Sequence, residues 1–532
     1  MDSSRLFRSY GTLAATAALL ITTAVPGTAQ ADGLPARPLR AAEAGAPEAG
    51  APELAPLPTG VPRALRPYYQ QRLSWHTCSG KRSGFECATL RAPLDYASPG
   101  AGDVRLAVSR KKAARSGRHL GSLLLNPGGP GGSAIDFLQA YAAAAYPAPV
   151  RARYDLVAMD PRGVAGSQPV TCLSDPEMDD FAQVDATPDD EGEVRGLVAA
   201  YKKFSQACAA HSGKLLRHVS TVEAARDMDV FRAALGDDKL HYVGASYGTF
   251  LGATYAGLFP SRVGRLVLDG ALDPSLSARQ VNRDQTAGFQ TALSSFVQDC
   301  ARHEDCPLDS GRADVASARL RGFFKHLDQH PLATGRSRPL TESLATTGVI
   351  SAMYDEASWP LLRRALNDAD SGDGGLLLRL SDAYYERNEQ GHYTNLMPAN
   401  AAVNCLDLPS AFSGPADVRR ALPAFEKASP VLGESFAWSA LSCAYWPVRP
   451  TGGPHRIPAR GAAPILVVGT TRDPATPYPW ARSLARQLSS GRLLTYEGDG
   501  HTAYTRGSSC VDGAINDYLL GTAPPPASRR CS

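Results

Sequence analysis

Short apolar segments that end in glycine- or aspartate-rich turns recur along the chain. Six of them predict buried β-strands: Leu120–Leu125, Tyr154–Met159, Leu240–Val243, Arg265–Leu268, Ile465–Val468 and Arg492–Tyr496. Helical patterns follow these segments, and this alternation is typical of a parallel sheet in an α/β fold. Because ligands of such sheets bind beyond the carboxyl ends of the strands, the polar residues after each segment are the candidates for chemistry.

This alternation stops in the stretch 275–455. The stretch carries amphipathic helical patterns instead, for example over Thr291–Ala301 and Trp359–Ala369. An apolar stripe with helical period indicates helices that pack one face against a core. The sequence therefore predicts a helical cap over 275–455, inserted between a first part of the sheet domain at 63–274 and a second part at 456–532.

The N-terminus predicts export. Arg5 and Arg8 precede an apolar run at 12–25, and residues 29–31 (Ala-Gln-Ala) fit a cleavage site. The run is shorter than the ~20 residues that a membrane-spanning helix needs. We therefore expect 1–31 to be a signal peptide, and the mature protein to be secreted, extracellular and free of the membrane.

The next stretch, 32–62, is rich in Pro, Ala, Gly and Glu, and it repeats GAPE at 45–48 and 50–53. A segment of this composition buries little apolar surface. We expect it to be disordered, and the sequence does not decide between a propeptide and a spacer.

The charge balance excludes one class of partner. The chain has 55 Lys and Arg against 52 Asp and Glu, so it lacks the basic excess of a nucleic-acid-binding protein. Hydrophobic residues make up 43% of the chain, which is ordinary for a globular protein. We expect no nucleic-acid partner.

The ten cysteines favour disulfides, because an exported chain enters an oxidising compartment. They include no C-x-x-C and no zinc-finger spacing with histidine, so no metal site is predicted. We expect oxidation in sequence-neighbour pairs: Cys78/Cys87, Cys172/Cys208, Cys300/Cys306, Cys405/Cys443 and Cys510/Cys531.

The strongest motif is Gly244-Ala245-Ser246-Tyr247-Gly248, which fits G-x-S-x-G. An apolar segment precedes it and a small-residue helical pattern, TFLGATYAGLF, follows it. In this strand–turn–helix setting a strained turn exposes the serine hydroxyl. The motif therefore predicts Ser246 as a nucleophile.

A serine nucleophile needs a base, and the base needs an acid that orients it. In folds with this motif the three residues follow in the order Ser, Asp or Glu, then His. His501 lies in a loop directly after the last predicted strand and is the candidate base. Asp473, after ILVVGTTR, is the favoured acid and Asp269 its rival, while Thr476 is placed to support the acid loop.

A glycine-rich loop, NPGGPGGS at 126–133, ends the strand predicted at Leu120–Leu125. A tetrahedral oxyanion needs two preorganised N–H donors, and glycines let the backbone approach the substrate. We expect the backbone N–H groups of Tyr247 and Gly129 to form this oxyanion hole.

Together, GASYGT, NPGGPGGS, DPRGVAGS, TRDPATPY and GDGH resemble the secreted tripeptidyl aminopeptidases of actinomycetes and, more widely, the proline-iminopeptidase-like α/β-hydrolases. The resemblance runs over about 70–531. It implies an α/β-hydrolase fold, with a mostly parallel sheet, helices on both faces, a helical cap and a C-terminal TAP-like region. It also implies a triad of Ser246, Asp473 and His501, no cofactor, and release of tripeptides from free N-termini. Pro127 stands where the related iminopeptidases carry His, and this favours the tripeptidyl branch.

An aminopeptidase must bind a protonated α-amine, so it needs carboxylates in its cap. Asp407 is the candidate, with a solvated surface aspartate as the alternative. Asn404 is the second substrate-binding candidate, because many relatives carry an acidic residue at this place before Cys405. The substrate would be a peptide or polypeptide.

Two other functions fit the same residues. A secreted esterase or lipase would use the same triad under an apolar cap, and a non-catalytic binding protein could keep the fold without the reaction. Side-chain preference, the length of the released peptide and the oligomeric state stay open.

Overall fold

The computed structural model describes residues 51–79, 83–114, 118–308, 312–521 and 527–532. The predicted signal peptide and residues 32–50 lie outside the described residues. The described residues form one sheet of ten strands. The strands are β1 (His76–Thr77), β2 (Glu86–Pro93), β3 (Asp103–Lys111), β4 (Ser122–Asn126), β5 (Asp155–Met159), β6 (Leu240–Ala245), β7 (Val263–Asp269), β8 (Ile465–Arg472), β9 (Gly491–Asp499) and β10 (Ser528–Cys531).

The sheet is mostly parallel, as predicted. Its order is β1-β2-β3-β5-β4-β6-β7-β8-β9-β10. The strands from β5 to β10 in this order pair in parallel, and β1, β2 and β3 form an antiparallel edge that ends on β5. The six predicted strands are confirmed as β4 to β9. The antiparallel edge was not predicted, because β2 and β3 alternate buried and exposed residues and contain no continuous apolar run.

Helices cover both faces of the sheet. Those outside the inserted stretch are α1 (Arg66–Tyr69), α2 (Ala134–Phe137), α3 (Ala143–Ala145), α4 (Ala148–Arg153), α5 (Asp175–Ala182), α6 (Glu191–Ser212), α7 (Thr221–Leu235), α8 (Tyr247–Leu258), α17 (Tyr478–Gln487) and α18 (Ser509–Leu520). Alternate strand residues enter different cores. Leu123 and Leu125 of β4 pack with α2, α4 and α18, whereas Leu124 packs with α7 and α8.

The inserted stretch is helical, as its amphipathic patterns predict. It contains α9 (Ala278–Cys300), α10 (Ala313–Gln329), α11 (Glu342–Met353), α12 (Trp359–Asp370), α13 (Gly375–Tyr384), α14 (Leu396–Asp407), α15 (Pro415–Ala428) and α16 (Gly433–Ser439). Helix α6 packs with α15 and α16, through contacts such as Tyr201 with Trp438. The helical cap therefore includes a segment that the sequence boundaries place in the sheet domain.

The five predicted disulfides are confirmed, and all ten cysteines are paired. Cys300–Cys306 and Cys405–Cys443 close loops within the cap, and Cys510–Cys531 joins α18 to β10. Each bridge joins neighbours in sequence, so each constrains a short stretch of chain.

The structure contradicts the expectation of disorder for 51–62. Leu54 N–H donates to the carbonyl of Arg456 at 2.8 Å, and Leu57 N–H donates to that of Leu258 at 2.9 Å. Both leucine side chains pack against the main core. Composition did not predict this order, because the contacts of Leu54 and Leu57 hold an otherwise mostly exposed, proline-rich segment on the surface.

A buried charge joins the antiparallel edge to α7. Arg162, in the DPRG turn after β5, has a fully buried side chain that makes a bidentate pair with Asp227 of α7, with both distances 2.7 Å. Its remaining N–H groups donate to the carbonyls of Pro93, Leu94 and His218. All five donors are used, as a buried guanidinium requires.

We expect Asp227→Ala to lower the free energy of unfolding by about 3–5 kcal/mol, because it leaves the guanidinium of Arg162 buried without its counter-charge. The matched control is Asp368→Ala on α12, whose carboxylate lies 3.7 Å from Arg364 at the surface. The control should change stability by less than about 1 kcal/mol. Denaturant unfolding followed by tryptophan fluorescence measures the free energy of unfolding of both variants. Equal losses would show that the buried ion pair contributes no more to stability than the surface pair.

Candidate active site

Ser246 lies in a strained turn between β6 and α8. Its backbone has φ 55° and ψ −124°, which L-residues rarely adopt. A Cβ on Gly244 would lie 2.4 Å from the carbonyl oxygen of Gly248, so the chain can close this turn only with glycine. The Ser246 N–H donates to the carbonyl of Asp269 at 2.9 Å, which ties the turn to the end of β7.

His501 and Asp473 form a buried pair in the loops after β9 and β8. Nδ1 of His501 lies 2.9 and 3.0 Å from the two carboxylate oxygens of Asp473, whose side chain is fully buried. The Thr476 hydroxyl donates to this carboxylate at 3.0 Å and lies 3.3 Å from the same Nδ1. Backbone N–H groups of Ala475, Thr476 and Thr502 also donate to it. This arrangement fixes the imidazole ring with its other nitrogen, Nε2, free for chemistry.

Asp269, the rival acid, has another partner. Its carboxylate accepts the backbone N–H groups of Ala503 and Tyr504, at 2.9 to 3.1 Å. Burial raises its pKa. Asp269 therefore holds the backbone of the histidine loop, whereas Asp473 contacts the imidazole ring itself.

The cap contacts the histidine directly. The His501 N–H donates to the carbonyl of Tyr354, in the loop after α11, at 2.8 Å, and the two rings meet edge to face at 5.5 Å. Nε2 of His501 is buried and has no hydrogen-bond partner among the described residues. A Cβ on Gly270 would lie 3.2 Å from His501 Cε1. Since Ser246 binds the neighbouring carbonyl of Asp269, both side chains lie at the same end of β7.

The glycine-rich loop lies against the serine turn. A Cβ on Gly128 would lie 2.9 Å from that of Ser246 and 3.0 Å from the Tyr247 nitrogen. The Gly128 N–H already donates to the Asn126 side chain, and proline nitrogens carry no hydrogen. Gly129 is the next residue along the loop with an N–H to offer. Gly129 therefore remains the predicted second N–H donor of the oxyanion hole. The first predicted donor is Tyr247, which begins α8.

The structure places the two substrate-binding candidates differently. Asn404 is exposed on α14, where its side chain donates to Asn400, which in turn donates to the Pro130 carbonyl of the glycine-rich loop. Asp407 is buried, and its two oxygens accept the N–H and the hydroxyl of Thr221 at 2.8 and 2.5 Å. Burial raises its pKa to about 7. This contradicts the role predicted for Asp407, because its carboxylate faces the interior and is already occupied.

Glu386 in the cap and Asp136 on α2 form an acidic pair that the sequence analysis missed, since the charge of Asp136 acts on Glu386. Glu386 follows α13 with φ 52°, a position that usually requires glycine. Burial, and to a lesser extent the charge of Asp136 at the start of α2, raise its pKa. Thr394 donates to Glu386, and two residues later the Leu396 carbonyl contacts Gly131 of the glycine-rich loop. No local pattern predicts this pair, because Glu386 and Asp136 are 250 positions apart in the sequence.

Possible metal ligands cluster elsewhere. Among the described residues, three groups bring ligand atoms within 4.8 Å of one another, and none contains Ser246, Asp473 or His501. They are Asp95, His218 and Glu223; Asp185, Glu193 and Asp328; and Asp189, Asp190 and Glu193. The chemistry of the serine site draws on none of them.

Comparison with known proteins agrees with this geometry. The family profile "TAP-like protein" matches residues 429–531. The chain is 37% identical over 491 residues to serine protease Hip1 of Mycobacterium tuberculosis, covering 89% of this chain and 93% of that protein. It is 39% identical over 478 residues to carboxylesterase B of the same organism, covering 88% and 91%. It is 31% identical over 466 residues to a tripeptidyl aminopeptidase of Streptomyces coelicolor, covering 84% of each.

The chain therefore belongs to the TAP-like α/β-hydrolases, and it is a hydrolase. Within the described part of the chain, no helix is long and apolar enough to cross a bilayer.

We expect the two aspartates of the site to differ in their effect on hydrolysis. Asp473→Asn should lower kcat by about 10³- to 10⁴-fold, because the imidazole loses the carboxylate that orients it. Asp269→Asn should lower kcat by about tenfold or less, since its side-chain oxygen can still accept a backbone N–H. Hydrolysis of p-nitrophenyl butyrate measures both, and the opposite ranking would make Asp269 the acid.

Proposed function

We propose that this hydrolase is a secreted serine exopeptidase that cleaves peptide bonds near free N-termini and releases tripeptides. The observation that carries the proposal is the combination of a strained Ser246 turn, a His501–Asp473 pair and an acidic pair under one helical cap. A serine turn alone would support any acyl transfer. The acidic pair of Glu386 and Asp136 favours a substrate with a positive end.

In the proposed reaction, His501 Nε2 takes the hydroxyl proton of Ser246 as Oγ attacks the peptide carbonyl carbon. The resulting oxyanion accepts the N–H groups of Tyr247 and Gly129, and Asp473 stabilises the imidazolium through Nδ1–H. The imidazolium then gives its proton to the leaving amine, and an acyl-enzyme remains on Ser246. A water molecule, deprotonated by His501, attacks the acyl carbon, and the released peptide leaves with Ser246 restored.

The acidic pair supports the choice of an exopeptidase. The carboxylates of half-buried Glu386 and exposed Asp136 repel each other, and an ammonium group between them relieves that repulsion. Backbone strain at Glu386 costs ~1–3 kcal/mol and is typical of functional positions. In the proposed complex, the α-ammonium of the substrate pairs with Glu386 and Asp136, which fixes the number of residues between the N-terminus and Ser246.

Other observations support secretion and the peptide substrate. The chain begins with a predicted signal peptide, and its five disulfides suit an oxidising compartment. Two of the relatives reported above are named as a protease and an aminopeptidase.

An esterase is the second candidate, and aromatic side chains favour it. Tyr354 contacts the ring of His501 and also those of Phe289 and Tyr384, so an apolar acyl group would find partners there. The relative named carboxylesterase B agrees with this alternative.

We expect an unblocked decapeptide to be cleaved about 10²- to 10³-fold faster than its N-acetylated twin, because acetylation removes the ammonium charge that Glu386 binds in the proposed complex. Mass spectrometry of the products should show a tripeptide and a heptapeptide. Ser246→Ala is the control and should cleave neither peptide. Equal cleavage of both peptides would contradict the exopeptidase, and hydrolysis of butyrate esters alone would favour the esterase.

We expect Glu386→Gln to reduce the preference for the free amine by about tenfold or more, because it removes one of the two charges that the ammonium contacts. Ester hydrolysis should change little, since an ester probe carries no ammonium. The matched control is Glu389→Gln, three residues further on and exposed. If both variants keep the full preference for the free amine, Glu386 does not bind the substrate amine.

A further inference from the structure

We propose that Asp407 is a positioning residue for the oxyanion hole, acting through the hydroxyls of Thr221 and Tyr247. The proposal rests on the proposed serine chemistry of Ser246, and it holds for peptide and ester substrates alike. It gives a role to a buried carboxylate that the proposed reaction leaves unused.

Three side chains form a continuous hydrogen-bonded chain behind the serine turn. Asp407, the last residue of α14, accepts the Thr221 hydroxyl at 2.5 Å, and the same hydroxyl oxygen lies 2.6 Å from Oη of Tyr247. All three residues are at most 8% exposed. These hydrogen bonds therefore link Asp407 in the cap, through Thr221 at the start of α7, to Tyr247, which follows the nucleophile.

The direction of the hydrogen bonds follows from the chemistry of the groups. The Thr221 hydroxyl donates to one oxygen of Asp407, and the Thr221 backbone N–H donates to the other. The hydroxyl oxygen of Thr221 is then left to accept the proton of the Tyr247 hydroxyl. Burial raises the pKa of this tyrosine, so it keeps its proton and needs an acceptor. Thr221 is the partner that satisfies it.

Anchoring the tyrosine ring matters because of the residue before it. Ser246 is strained, and a strained backbone persists only where its surroundings over-determine it. Tyr247 begins α8 immediately after this turn, and its N–H is a predicted oxyanion donor. A ring held at its tip limits how far the adjoining peptide group can rotate. The hydrogen bonds that run from Asp407 to Tyr247 thus keep the Tyr247 N–H directed at the oxyanion during the reaction.

A purely structural role for Asp407 makes a different prediction. The carboxylate also accepts the Thr221 N–H at 2.8 Å, at the start of α7, and this contact alone would stabilise the helix. Replacing the threonine hydroxyl separates the two roles, because it keeps the N–H contact and removes the link to Tyr247.

The experiment compares Thr221→Val, Tyr247→Phe and their double variant, using p-nitrophenyl butyrate as the substrate. We expect each single change to lower kcat by about tenfold with KM unchanged, which is less than the ~10²–10³ for losing a whole oxyanion donor. The double variant should be no slower than the slower single variant, because both changes break one chain. Thr221→Ser restores the hydroxyl and should restore kcat.

The matched control is Thr254→Val on the same helix, α8. Thr254 is fully buried, and its hydroxyl has no hydrogen-bond partner among the described residues. Thr254→Val should keep the kcat of the wild type. This result would show that loss of a buried hydroxyl on α8 does not by itself lower kcat.

The outcomes separate this inference from the proposed function. Wild-type kcat in Thr221→Val and Tyr247→Phe would overturn the inference and leave the serine chemistry standing. So would a fall in kcat that Thr221→Ser does not restore. A wild-type enzyme that neither hydrolyses the ester nor reacts with a fluorophosphonate at Ser246 would overturn the proposed function and the inference with it.

Discussion

The strained backbone of Ser246 is the constraint on which the site depends. Gly244 has no room for a side chain against Gly248, Gly248 has none against Asn126 at the end of β4, and Gly128 approaches the turn from the neighbouring loop. Strain of this kind costs ~1–3 kcal/mol and must be offset by the surrounding contacts. Here the hydrogen bond from Ser246 to the end of β7 and the packing of α8 on the sheet hold the turn in place.

The cap does more than cover the site. Tyr354 binds the backbone of His501. Helix α14 contacts the glycine-rich loop through Asn400 and is linked through Asp407 and Thr221 to Tyr247, the residue after the nucleophile. Because these contacts join cap residues to the groups proposed to react, a change in how the cap sits would alter the alignment of the site as well as access to it. Cap and sheet domain therefore form one functional unit.

Two pairs of charged side chains affect the stability of the molecule in opposite directions. Arg162 and Asp227 neutralise each other and use all the donors of the guanidinium, so they lock the antiparallel edge to α7. Glu386 and Asp136 carry the same sign, and burial, with a smaller contribution from the charge of Asp136, raises the pKa of Glu386. Like charges that are kept close together lower stability, and a protein keeps them where a ligand of opposite charge compensates.

The sequence by itself determined the parallel strands, the cap and the disulfide pairs, because each leaves a local signal. Apolar runs mark β4 to β9, and neighbouring cysteines pair within short loops. The motifs also singled out Ser246, Asp473, Thr476 and His501, which the fold brings to one end of the sheet.

Only the tertiary structure decided where the acidic residues of the cap lie. Asp407 carries the right charge for an amine ligand, but it is buried and binds Thr221, whereas Glu386 has no sequence signal and lies just after α13, hydrogen-bonded to Thr394. Likewise, the contact of Asp269 with the histidine loop joins residues more than 230 positions apart. Local patterns specify helices and strands, but contacts between distant segments depend on how those elements pack. That packing also decides whether a side chain faces the core or a site.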